Sequence, residues 1–163
     1  MRARVFNSRL WCNFLPPLAS NYLNKDKLGA LNNMEMIIDF PGGSRVDAHF
    51  GPHTVATDQP PVASAPTPFA VFLASIGTCA GIYVLGFCKQ RNLPTDGIRI
   101  VQRIHSSPMS GMVEKIDLEI QVPEDFPEKY RPSLIHTAEL CAVKKHLENP
   151  PKFEVTTKVA SLA

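Results

Sequence analysis

The chain has 163 residues, 44% hydrophobic and 20% charged, enough to bury a real core in one domain. Its net charge of +2 is uneven, because residues 1–33 hold five basic residues against one acid and leave the remainder acidic by two charges. That remainder offers no basic footprint for nucleic acid, and four cysteines without CxxC or close pairs exclude a disulfide scaffold and a zinc site.

Residues 1–33 lack a sustained period and contain Pro16-Pro17. No continuous apolar stretch with a small-residue cleavage site marks a secretory signal, so a reducing cytoplasm is the expected compartment. The segment reads either as an Arg-containing transit peptide or, preferably, as upstream sequence before a later start at Met34 or Met36. Trp11 and Cys12 go with it, and the domain is expected over residues 34–163.

From Met36 the pattern is strand-like, with Ile38 and Phe40 around Asp39. The turn Pro41-Gly42-Gly43-Ser44 leads to a second strand, Arg45 to Phe50, with Val46, Ala48 and Phe50 on one face. Gly51-Pro52 breaks the chain before a third short strand, His53 to Thr57. A Pro-rich loop from Gln59 to Pro68 opens a long helix that should end near Arg91-Asn92, where Lys89 and Arg91 suit its C-terminal dipole.

This helix is apolar on nearly every side: no Asp, Glu, Lys or Arg occurs from Pro60 to Cys88. Such a helix must be wrapped by protein or lipid. About twenty helical residues suffice to cross a bilayer, and Gly77/Gly81 form a GxxxG spacing. Ser75, Thr78, Tyr83 and three glycines within it, and the amphipathic sequence after it, favour a buried central helix and no membrane partner.

Two strands follow, Gly97 to Ile104 and Val113 to Val122. The second alternates strictly, with Ile116, Leu118, Ile120 and Val122 opposed to Lys115, Asp117, Glu119 and Gln121, the mark of a sheet wet on one side. Pro132 suits the first turn of a helix running to about Leu147, which buries Leu134, Ile135, Ala138, Cys141 and Ala142. Asn149-Pro150-Pro151 stops it, and Phe153 to Val159 is expected as a closing strand. The order βββ–α–ββ–α–β is that of an α+β domain with helices on antiparallel sheet.

Cys79 and Cys88 lie on opposite faces of the long helix, about 13 Å apart along its axis, too far to pair. Cys88 reads as a small buried hydrophobe. Cys79 either fills space or does chemistry. Cys141, on the inward face of another helix, favours chemistry, because a thiolate oxidised to a sulfenic acid needs a neighbouring thiol to condense with. An anion at Cys79 lies beyond the reach of the helix N-terminus, and Arg45 is the best available cation, although a solvated hairpin arginine explains its position equally well.

The stretch Thr67-Pro68-Phe69-Ala70-Val71-Phe72-Leu73-Ala74-Ser75-Ile76-Gly77-Thr78-Cys79 resembles the OsmC/Ohr family's first cysteine segment, and Ala138-Glu139-Leu140-Cys141-Ala142-Val143 resembles its second. The resemblance covers about residues 36–160. It implies a thiol peroxidase in which Cys79 attacks an organic hydroperoxide or hydrogen peroxide and Cys141 resolves it. It further implies a dithiol reductant, no cofactor or metal, and an intertwined homodimer with active sites at the interface. The family's catalytic arginine matches Arg45. Its peroxidases carry Glu immediately after the Pro, where this chain has Phe69. The carboxylate that orients the arginine is therefore missing, with Asp58 or a partner-subunit group as candidates to replace it.

Two other functions compete. One is a non-catalytic dimer holding a small apolar ligand between Phe69, Phe72 and Tyr83. The other is a Cys–His hydrolase with His49, His53 or His105 as base, which no local motif supports.

Overall fold

A computed structural model describes residues 34–61 and 63–159; the expected leader, with Trp11 and Cys12, lies outside them. Three strands open the fold: β1 (Ile37–Gly42), β2 (Arg45–Phe50) and β3 (His53–Val55), an antiparallel meander in the order β1-β2-β3. Ile38 pairs with Ala48 and His49 with Thr54. The tight β1–β2 turn falls at Gly43-Ser44, and Gly43 takes φ +62°, open to glycine without strain.

Helix α1 (Pro68–Gln90) begins where its sequence dictates. Thr67 is the N-cap, its hydroxyl accepting from the Ala70 N–H at 3.2 Å, and Pro68 occupies the first turn, where no N–H is needed. It ends as the N–H groups of Arg91 and Leu93 converge on the Cys88 carbonyl, with the Arg91 guanidinium 4.0 Å above the Phe87 ring. The hairpin β4 (Arg99–Ser106) and β5 (Val113–Gln121) pairs Ile100 with Ile120, Gln102 with Leu118 and Ile104 with Ile116. That matches the alternation in the sequence. The other face carries Arg103–Glu119 and His105–Asp117–Lys115 ion pairs.

The small-residue stripe of α1 meets β4. A Cβ on Gly77 would come within 2.6 Å of Gln102 Oε1, and Gln102 donates to the Leu73 carbonyl at 3.0 Å. The GxxxG spacing thus admits a strand here.

Two expectations fail. The single helix over 132–147 is two, α2 (Arg131–Glu139) and α3 (Ala142–Glu148), broken at Leu140-Cys141, where Cys141 takes φ −50°, ψ 127°. The stretch 153–159 forms no strand: Phe153, Val155 and Val159 are exposed, and no ladder partner reaches them among the described residues.

The core joins Ala80, Val84, Phe87 and Cys88 of α1 to Phe126, Leu134, Ala138 and Cys141. It wraps only the C-terminal half of α1. Phe69 is 55% exposed and Phe72 40%. Every residue of β1 is exposed as well, including Ile37, Ile38 and Phe40.

Candidate functional site

The break before α3 places the second cysteine. It turns Cys141 inward to complete burial, with its Sγ 3.9 Å from the Ile76 carbonyl oxygen, three residues before Cys79. Cys79, only partly buried, packs against the same core cluster. Both thiols are free. Burial pushes the Cys141 thiol up from its ordinary value, the N–H of Lys144 pulls it back, and the neighbouring Cys79 raises it again.

Tyr83, one helical turn beyond Cys79, is buried, and its phenol is raised by burial first and then by the neighbouring Cys79 and Cys141. It shares their surroundings. Phe69 and Phe72 stack on each other, ring centroids 5.7 Å apart, and both are exposed. Cys88 is wholly buried, and burial raises its thiol.

An apolar cleft of about 640 Å³ lies between α1, the β4–β5 hairpin and α2–α3, and neither Cys79 nor Cys141 lines it. Ile76, Ile100, Leu118 and Ile135 wall it, and Glu139 and Lys144 supply polar groups.

Arg45 stands apart from this pair. Its guanidinium is ion-paired with Asp47, two residues along the same strand. Asp58 does not orient it. Asp58 is buried and accepts four hydrogen bonds, from the Ser44 hydroxyl at 2.6 Å, the Gln59 N–H at 2.8 Å, and the Ser64 N–H and hydroxyl at 2.9 Å each. These hold its carboxyl well below the usual carboxylate range, with Ser44 the largest cause. Sequence reasoning missed Asp47. The signal was available: residues i and i+2 of a strand share a face.

The three histidines weighed as a base, His49, His53 and His105, sit on strands. His49 Nδ1 is 3.0 Å from Thr54 Oγ1, His105 bonds Asp117 at 2.8 Å, and His53 packs on Phe50. No group of metal-ligating side chains occurs among the described residues.

Residues 61–156 match the family model of the OsmC-like protein, so the chain belongs to that family. No curated protein matches it. Among solved structures it is similar to a Psychrobacter arcticus protein of the osmotic stress and detoxification response, at 16% identity and TM-score 0.58, covering 68% of this chain and 85% of that one. An OsmC-like protein from Mycoplasma pneumoniae is similar at 14% identity and TM-score 0.56, covering 72% and 89%. A hypothetical protein from Aquifex aeolicus gives 16% and 0.54, covering 72% and 88%. At these identities the likeness establishes the α+β fold.

Proposed function

We propose that the chain is a thiol peroxidase, with Cys79 as the peroxidatic and Cys141 as the resolving cysteine. The packing of Cys79 against the core cluster that holds Cys141 carries the reading. The Cys79 thiolate attacks the distal oxygen of a hydroperoxide; the O–O bond breaks, and the alkoxide leaves and takes a proton. Cys79 is now a sulfenic acid. Cys141 attacks its sulfur, water leaves, and a Cys79–Cys141 disulfide forms. A dithiol reductant then returns both thiols. The apolar cleft walled by Ile76 and Ile135 suits an organic hydroperoxide, and free thiols suit a reducing cytoplasm.

The working unit in this reading is a homodimer. It covers the exposed faces of β1 and the N-terminal half of α1, and Arg45 from one copy stabilises the Cys79 thiolate of the other. Consumption of cumene hydroperoxide with a dithiol, compared between the native chain and Cys79→Ser, tests it. Full turnover in the mutant overturns the assignment.

The cleft itself favours a second reading, a non-catalytic binder of a small apolar ligand. In that case Cys79 would not react with iodoacetamide at neutral pH, and the native chain would consume no peroxide.

A further inference from the structure

Arg45 has a guanidinium only partly committed. One terminal nitrogen donates to Asp47, while the Nε–H is buried without a hydrogen-bond partner. Asp47 itself is 4% exposed, an unusual place for a carboxylate unless it is paired. Its second oxygen accepts the Thr57 N–H at 3.3 Å, and the Val46 N–H bonds the Thr57 carbonyl at 3.2 Å. The carboxylate is thereby fixed to two chain segments, and it fixes the arginine in turn. Asp58 holds Ser44, the residue before Arg45, from the other side. Phe69, where the resemblance calls for a glutamate, is exposed and carries no charge.

We propose that Asp47 is the positioning residue for Arg45, a carboxylate on the arginine's own strand that replaces the one missing at Phe69. This rests on the reading of Arg45 as the cation serving Cys79. Asp47 takes one donor of the fork and aims the others, at the thiolate sulfur and the peroxide oxygen together. Because it sits on the same strand as Arg45, the arginine is pre-aimed within each copy before any second copy docks.

The test is a double-mutant cycle on the full-length chain, read by iodoacetamide alkylation of Cys79 against pH and by kcat and KM for cumene hydroperoxide. Asp47→Asn keeps the shape and an acceptor oxygen but loses the charge. It should slow both Cys79 alkylation near neutral pH and kcat by roughly tenfold, with KM little changed. Asp47→Glu should recover part of the loss. In an Arg45→Ala background, Asp47→Asn should add nothing, since a residue acting through Arg45 has no effect without it. Equal losses from Asp47→Asn with and without Arg45 would overturn the proposal and make Asp47 merely structural. So would an unchanged profile in Asp47→Asn while Arg45→Ala is impaired. An unchanged profile in Arg45→Ala overturns the role of Arg45 and that of Asp47 together, and is the one outcome that strikes the functional reading of Arg45 itself.

Discussion

Cys79 and Cys88 are the same residue type on the same helix, yet their settings differ. Cys88 is wholly buried among Ala80, Val84, Phe87 and Leu134, and its thiol is raised by that burial. Cys79 lies where the packed half of the helix gives way to the exposed half, partly open and packed against the core cluster that holds a second thiol. A buried thiol has no room for a peroxide and no partner to resolve it. A thiol at the edge of the core has access on one side and a rigid neighbour on the other. Reactivity is therefore set by where the core stops along the helix.

That contrast is open to attack at several levels. The largest effect is expected from Cys79→Ser, which should reduce hydroperoxide consumption to background, a loss of about a thousandfold or more. Cys88→Ala should leave turnover intact and cost roughly 1 kcal/mol of stability through a small cavity, measured by urea unfolding. If Cys88→Ala abolished turnover, the distinction between the two thiols would fall. Leu134→Ala, in the packed region, should cost about 2–5 kcal/mol.

The exposed half of α1 and the exposed β1 make the complementary prediction. If a second copy covers them, the melting midpoint of the chain rises with protein concentration. A midpoint independent of concentration would leave these faces uncovered and remove the partner for Arg45.

A smaller effect sharpens the framework around Arg45. The Asp58 carboxyl is depressed in the folded state, so its stabilisation is fully present above the unfolded carboxylate range near pH 4. It is lost as pH falls below that toward its folded value. Asp58→Asn should therefore flatten the acid limb of a stability–pH curve and leave its slope near neutrality unchanged.

Much of this was legible in the residues. Strict alternation over 113–122 placed β5 and its wet face, and Thr67-Pro68 placed the start of α1. The expectation that Cys141 faces inward holds for its burial, but it sits at the break between α2 and α3 and not on a helix face. The break at Leu140-Cys141 was not legible, because the stretch from 131 to 148 contains no glycine and no internal proline past its first turn. Packing of the Cys141 sulfur against α1 accompanies that break, and local propensity says nothing of it. Phe153 to Val159 alternates as a strand should, but a strand also needs an edge to pair with, and alternation does not name one. Asp47 was overlooked for a similar reason: a carboxylate within an alternating strand reads as the wet face until burial shows otherwise.

The most direct measurement is peptide mapping under non-reducing conditions after one equivalent of hydroperoxide. The expected result is a Cys79–Cys141 bridge within a single chain, with Cys88 recovered as a free thiol. A dominant Cys79–Cys88 bridge, or Cys79 driven to sulfinic acid with Cys141 still reduced, would contradict the pairing on which the mechanism rests.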